Sequence, residues 1–184
     1  MRRFGIIWGL FLGFALTGSA SADQGDPRLR GLFEQLKSAP SDEEAKLIEL
    51  RIWSIWAVVR DDDAARYMNQ GLVALNARRH KEALQAFTQV TGLASGFAEG
   101  WNKRATVEFI LGDYDSSVRH IERTLALEPR HFGALSGLAQ IYLALDKKEA
   151  ALKAFEKVLE IDPHLPGVRK QVEKLKKELA GAPT

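Results

Sequence analysis

The stretch WNKRATVEFILGDYDSSVRHIERTLALEP (101–129) decides the fold, because a related stretch follows 34 residues later as LSGLAQIYLALDKKEAALKAFEKVLEIDP (135–163). The closing prolines, Pro129 and Pro163, keep the same interval. A less regular third copy precedes them, YMNQGLVALNARRHKEALQAFTQVTGLAS (67–95), again displaced by 34 residues. A fixed period of this length indicates a solenoid in which each repeat is one supersecondary unit.

Within each copy, the spacing of apolar and small residues predicts two antiparallel helices joined by a short turn. Small residues recur where the two backbones must approach closely: Gly71, Ala105, Ala139, Ala83, Ser117 and Ala151. Larger side chains fill the space between the helices: Phe87, Ile121 and Phe155. The prolines end the second helices because a proline cannot continue a helix. One such hairpin cannot bury its apolar face alone, so about three must stack.

Seven positions of the last copy follow a known family pattern: Leu135, Leu138, Ala139, Tyr142, Ala151, Phe155 and Pro163. They occupy W-x2-L-G-x2-Y, then A-x3-F, then P, the pattern of the tetratricopeptide repeat (TPR) family, which this copy resembles. The resemblance covers residues 64–165 and implies an all-α fold. That fold is a right-handed α-solenoid of three TPR helical hairpins, at 64–97, 98–131 and 132–165.

The middle copy departs from the pattern at two positions that are usually apolar, Arg104 and Glu108. These residues are four apart on one helix, so their side chains can form an ion pair. One interpretation is a structural pair that the neighbouring repeat partly covers. The other is a polar pair that binds a ligand.

Upstream, residues 27–60 predict an N-terminal helical hairpin, a degenerate repeat. Leu29, Leu32, Phe33 and Leu36 recur at helical spacing, and Ser41 is placed to cap a second helix. That helix carries Trp53 and Trp56. We expect the hairpin to pack on the N-terminal end of the array with both tryptophans in its core. The alternative is that the tryptophans dock a partner or fold into the array's own groove.

At the other end, residues 166–180 predict a C-terminal capping helix. Val168, Val172, Leu175 and Leu179 form a single apolar stripe on it, and basic residues cover the rest. Terminal helices with a polar outer face are what repeat arrays require for solubility. The basic surface is therefore interpreted as a solvated face.

The first 22 residues have the three parts of a secretory signal peptide: Arg2 and Arg3, an apolar run from Phe4 to Leu16, then small residues. The apolar run is shorter than the roughly 20 residues that span a bilayer. We expect cleavage after Ala22 and a location in the periplasm or outside the cell. Retention of the segment as an uncleaved anchor is the competing interpretation.

Cleavage would change the charge of the chain. The 184 residues contain 26 Lys+Arg and 24 Asp+Glu, so losing the two arginines leaves equal numbers of bases and acids. A neutral chain has little long-range attraction for phosphate backbones or anionic lipid. We therefore expect no nucleic-acid partner, and no membrane contact after cleavage. The absence of cysteine excludes disulfides, thiol nucleophiles and thiolate metal sites.

No motif in the sequence predicts catalysis. The four histidines do not have the spacing of a metal site, and no phosphate-binding glycine loop or nucleophile elbow is present. We therefore expect no enzymatic activity, no cofactor and no metal.

Binding is the better expectation, since the first helices of stacked TPRs line a concave groove. Helical periodicity places one set of side chains on that face: Met68, Leu72, Leu75, Asn102, Thr106, Phe109, Gln140 and Leu143. This surface is apolar with amides, and it lacks the basic clamp that some TPR domains use for acidic chaperone tails. It is therefore predicted to bind an extended peptide or a helix through apolar contacts and a few amide hydrogen bonds.

Two functions follow from these features. The first is an exported protein-interaction adaptor that binds a peptide or helix of a cell-envelope partner, similar to small periplasmic TPR proteins of Gram-negative bacteria. The second is a self-assembling structural subunit whose groove is filled by its own N-terminal hairpin. An oligomer is expected for the second and is compatible with the first.

Overall fold

The computed structural model describes residues 25–181, and in that range all regular structure is helical. The helices are α1 (Arg28–Lys37), α2 (Asp42–Trp56), α3 (Asp62–Asn76), α4 (His80–Leu93), α5 (Ala98–Ile110), α6 (Tyr114–Leu127), α7 (Phe132–Ala144), α8 (Lys148–Ile161) and α9 (Pro166–Ala180). The expected all-α TPR solenoid is confirmed. The predicted signal segment lies outside the described residues.

Six central helices form three hairpins, which we call repeat 1 (α3–α4), repeat 2 (α5–α6) and repeat 3 (α7–α8). Each turn inside a repeat has one residue with a left-handed backbone, at Arg78, Gly112 and Asp146, and these positions keep the 34-residue period. The following amide donates back to a carbonyl five residues earlier, as from Asp113 to Glu108 at 2.9 Å. This C-terminal motif ends the first helix and reverses the chain.

The small residues lie where the two helices of a repeat meet. A Cβ added at Gly71 would lie 2.5 Å from the ring of Phe87, so repeat 1 has a glycine at its closest approach. In repeat 2, the buried Ser117 hydroxyl donates to the carbonyl of Ala105 at 2.8 Å. The interior is therefore shaped by the residues that recur in the sequence pattern.

The N-terminal hairpin (α1–α2) does not pack on the end of the array, so the expected position is wrong. Its buried residues share one apolar cluster with Phe132, Leu135 and Val158 of repeat 3, and none of repeat 1 belongs to that cluster. The side chain of Asp42 binds Arg169 of α9 at 2.7 Å and lies 3.2 Å from His164. The hairpin therefore lies across repeat 3 and the start of α9, where its apolar residues are buried against α7 and α8.

Helix α9 covers repeat 3 with Val172 and Leu175, which are buried against the α8 side of that repeat. Its N-terminus starts at Pro166, whose missing amide hydrogen costs nothing in the first turn of a helix. The C-terminal end of the array is thus closed by a helix with a charged outer surface.

Candidate groove between repeats 2 and 3

A depression of about 110 Å³ lies between α5 and α7, and we call it the central groove. It is lined by Asn102, Ala105, Thr106, Phe109, Ser117, Ile121, Gly133, Gly137 and Gln140. Four of the eight predicted site residues are brought together here: Asn102, Thr106, Phe109 and Gln140. None of the lining side chains is charged. Thr106 and Gln140 are exposed, so two polar side chains border an apolar floor.

The other four predicted site residues do not line the central groove. Met68 is buried in the apolar cluster of repeat 1, where Leu72 and Leu75 are half-buried beside it. Leu143 is half-buried against the cluster of repeat 3. Helical periodicity alone places all eight residues on one face of the first helices. These four, however, pack against the apolar clusters of their own repeats.

One end of the central groove is built on a buried carboxylate, Glu99. Its two oxygens lie 2.9 Å from Lys103 Nζ and 3.0 Å from His131 Nε2, and Asn102 Nδ2 donates to it at 2.8 Å. The amide of Ala134 donates to His131 Nδ1 at 3.1 Å, so that nitrogen is an acceptor and the proton belongs on Nε2, facing Glu99. All the polar atoms of this cluster therefore have a defined role.

The pKa of Glu99 reflects two opposing effects. Burial of the carboxyl raises its pKa, but the hydrogen bond from His131 and the charge of Lys103 together lower it below its ordinary value. Glu99 is therefore ionised at neutral pH, and Lys103 balances its charge. This end of the groove carries no unpaired charge toward a ligand.

Two tryptophans of α2 close the same end. Trp56 stacks on the imidazole of His131 with ring centroids 4.4 Å apart, and Trp53 meets His131 and Phe132 edge to face. A Cβ at Gly133 would lie 2.8 Å from the Trp53 ring, so the lack of a side chain at Gly133 leaves room for the indole. Both tryptophans therefore pack in the core that the hairpin shares with repeat 3, as expected, and Trp53 also borders the central groove at Gly133.

Sequence reasoning missed His131. A signal was available in the period: repeats 1 and 3 carry the apolar Phe97 and Leu165 at the position of His131. A histidine that replaces a buried apolar residue in one copy indicates a local polar partner. That partner is Glu99, one full repeat earlier in the chain.

The Arg104 and Glu108 pair lies away from the central groove. Arg104 Nε binds Glu108 at 3.1 Å, and His120 Nδ1 lies 2.6 Å from the other carboxylate oxygen. Arg104 Nη1 also donates to the Thr91 hydroxyl of repeat 1 at 3.3 Å. The geometry supports the interpretation of a structural pair covered by the neighbouring repeat.

Two features are absent from residues 25–181. Within this range, no three or more His, Asp or Glu side chains are grouped so that they could hold a metal ion. Among the same residues, no helix has the length and apolarity needed to cross a membrane.

Comparison with known proteins agrees with this architecture. Residues 102–166 match the family model described as tetratricopeptide repeat. A TPR repeat-containing protein of Rhizobium etli is 36% identical over 154 residues, which are 84% of this chain and 76% of that protein.

Two solved structures share the fold. The first TPR of Spaghetti (RPAP3), bound to the HSP90 peptide SRMEEVD, superposes with a TM-score of 0.61 at 23% identity over 65% of this chain and 94% of that one. MamA protein gives a TM-score of 0.60 at 14% identity, over 86% of this chain and 79% of that one. At these identities, the likeness concerns the fold alone.

Proposed function

The chain belongs to the tetratricopeptide repeat family, and we propose that it is an exported adaptor that binds a peptide or helix of a cell-envelope partner in its central groove. The fold is a protein-interaction scaffold, and TPR domains of this fold have been solved with bound peptides. We propose no catalytic activity, cofactor or metal for it. The partner is expected to be a protein rather than a nucleic acid.

The observation that carries this proposal is the uncharged lining of the central groove. The peptide held by the Spaghetti TPR, SRMEEVD, contains three acidic residues. Here Lys103, the cation that residues 25–181 place at the groove end, is already paired with Glu99 at 2.9 Å. Binding an acidic peptide would leave its carboxylates without partners, which is costly. The groove therefore favours a neutral segment that places apolar side chains over Phe109 and hydrogen-bonds to Gln140.

The test blocks the groove from a position where a Cβ is accommodated. A Cβ at Gly137 would meet Ile121 at 3.5 Å, an ordinary contact, and Gly137→Leu extends the side chain from there into the depression. The matched control is Gly92→Leu, because Gly92 is also helical and has open space around it. A photoreactive residue at position 106, an exposed position of the groove lining, is then used in cells to capture whatever lies in the groove.

We expect a defined crosslinked partner that disappears in Gly137→Leu and persists in Gly92→Leu. Crosslinks that are equally strong in both variants would contradict groove binding. An alanine at Gln140 is expected to weaken capture several-fold, since it removes one hydrogen bond worth about 1 kcal/mol.

Export rests on the signal-peptide pattern of residues 1–22. The measurement is the intact mass of the protein recovered from the periplasm or the medium. We expect a mature chain that begins at Asp23. A species that retains Met1 and stays with the membrane fraction would support the anchor instead.

A second function, a self-assembling structural subunit with a self-filled groove, is favoured by Trp53, which occupies the Gly133 end of the groove. Removing that indole distinguishes the two functions. In an adaptor, Trp53→Ala lengthens the open groove and preserves or increases partner capture from position 106. In a structural subunit, the same variant is expected to lose assembly and to capture no partner.

A further inference from the structure

Within the described part of the chain, no helix covers the outer face of repeat 1 as the other repeats are covered. We call it the end face, and it consists of Tyr67, Gln70, Val73, Ala74, Arg79, Glu82, Gln85, Ala86 and Gln89 around a cavity of about 730 Å³. Val73 is 60% exposed, whereas Val107 and Ile141, at the same position of repeats 2 and 3, are fully buried. The difference arises because each later repeat is covered by the one before it.

Within the array, this kind of face accepts a helix. Val107 of repeat 2 is buried in a cluster with Phe87 and Val90 of α4, the second helix of the preceding repeat. The end face is the equivalent surface of repeat 1, so a helix could pack on it in the same way. The N-terminal hairpin does not fill it, because it lies across repeats 2 and 3.

A second unpartnered surface lies on α2. Leu47 and Leu50 are 64% and 54% exposed, on the side of the helix away from the buried Ile52 and Trp56. We call Leu47 and Leu50 the outer stripe. They are three residues apart, which places them on one side of the helix as a short apolar contact surface.

The two surfaces have complementary charges at their borders. Glu43 and Glu44 are exposed at the N-terminal end of α2, one turn before Leu47, and they outnumber the exposed Arg51, since the nearby Lys46 is paired with Glu49 at 2.8 Å. Arg78 and Lys81 are exposed at the turn that borders the end face, where Arg79 is already paired with Glu82 at 2.9 Å. Opposite charges at the edge of an apolar contact favour one orientation of docking and speed encounter. Both surfaces are exposed on the same molecule at once, so their contact must join two molecules.

We propose that the outer stripe of α2 in one copy docks on the end face of repeat 1 in a second copy of this chain. The contact is heterologous, since two different surfaces meet, so it leaves one free surface of each kind at the ends of an assembly. Such contacts build rings or open chains rather than closed two-fold dimers. The central groove takes no part, so self-association and partner binding can be tested separately.

The experiment uses the full chain and two exposed positions whose substitution leaves the interior untouched. Val73→Glu blocks the end face and leaves the outer stripe intact, and Leu50→Glu does the reverse. Leu145→Glu is the control, because Leu145 is also exposed but belongs to neither surface. Mass is measured by sedimentation equilibrium over a concentration series.

We expect the average mass of the unsubstituted chain and of Leu145→Glu to rise with concentration, while each blocked variant stays monomeric. An equimolar mixture of Val73→Glu and Leu50→Glu should form a heterodimer and nothing larger, since each retains the surface that the other needs. Loss of association in only one blocked variant would indicate a contact between two identical surfaces and overturn the proposal. Association that survives both substitutions, or a monomer at every concentration, would also overturn it.

Discussion

Repeats 2 and 3 have helices of equal length, 13 and 14 residues each, but different interiors. Repeat 2 buries three carboxylates: Glu99, Glu108 and Glu128. Repeat 3 has Gly133, Tyr142 and Asp162 at those positions, so only the last is acidic. The 34-residue period therefore specifies the path of the backbone. The buried side chains can differ in chemistry from one repeat to the next, and most buried carboxylates are stabilised by a hydrogen-bonding partner.

Glu128 and Asp162, the third of these equivalent pairs, differ in this respect, because one oxygen of Asp162 has no partner. Glu128 accepts hydrogen bonds from the amide and the guanidinium of Arg130 at 2.8 to 3.0 Å. Asp162 accepts one from the amide of His164 at 3.0 Å, and its other oxygen is buried without a partner. Repeat 2 has Arg130 two residues after Glu128, whereas repeat 3 has His164 at the equivalent position. His164 binds Asp42 instead, so Asp162 lacks the bidentate pairing that Glu128 has.

The largest expected effect comes from the buried pair of repeat 2. Glu108→Ala should lower the free energy of unfolding by about 3 kcal/mol, because it leaves the Arg104 and His120 side chains without their shared acceptor. The double variant Arg104→Leu with Glu108→Tyr introduces the residues of repeat 3 at both positions. It should stay within about 1 kcal/mol of the original chain, since apolar replacement of a buried ion pair is commonly neutral. Urea denaturation measures both.

A double variant as unstable as the single one would show that the interiors of the two repeats are not interchangeable. In that case, the charges of repeat 2 would be required by their contact with Thr91 of repeat 1 rather than by their own pairing.

The next largest effect concerns Trp56 of the N-terminal hairpin, which packs where repeats 2 and 3 meet. Trp56 stacks on His131 and also contacts Phe132 at a centroid distance of 5.3 Å, so it touches the end of repeat 2 and the start of repeat 3. Trp56→Ala should lower the free energy of unfolding of the hairpin by about 3 kcal/mol. Amide hydrogen exchange should show α1 and α2 losing protection while α7 and α8 keep most of theirs. Equal loss in all four helices would mean that hairpin and repeats unfold as one unit.

The smallest effect depends on pH. Burial, together with the carboxyl of Glu49, raises the pKa of Asp162 to about 6, although the His164 amide opposes this. The resulting stability is present in full below about pH 4 and is lost as the pH rises through 6. Asp162→Asn should therefore raise the free energy of unfolding by about 1 to 2 kcal/mol at pH 8 and change little at pH 4.

The matched variant is Glu128→Gln, at the same position of repeat 2. It should instead destabilise the chain at pH 8 by about 1 kcal/mol, because it weakens a charge-assisted pairing with Arg130. Thermal unfolding across the pH series checks both signs. A gain in stability at pH 8 in both variants would contradict the predicted difference between Glu128 and Asp162.

Much of the fold could be predicted because its determinants are local and periodic. The prolines and small residues mark the turns and close approaches, and Asp61 caps α3 by accepting from the Ala64 amide at 2.7 Å. The central groove could be predicted in part: Thr106 and Gln140 line it, while Met68 and Leu72 turn inward to the core of repeat 1. Helical period gives the direction of a side chain, but it does not say how closely the next helix approaches.

By itself, the sequence determined that this protein is an array of three helical hairpins, since period, small residues and helix ends act within one or two turns of the chain. Only the tertiary structure decided where the N-terminal hairpin lies. Its helix α2 has apolar residues on two sides, so its sequence suits more than one position. The surface across repeats 2 and 3 offers His131 for stacking, and α9 offers Arg169 as an ion partner, contacts that join residues 75 and 127 positions apart. Such distant pairings leave no periodic signal, and they determine which faces of the molecule stay open.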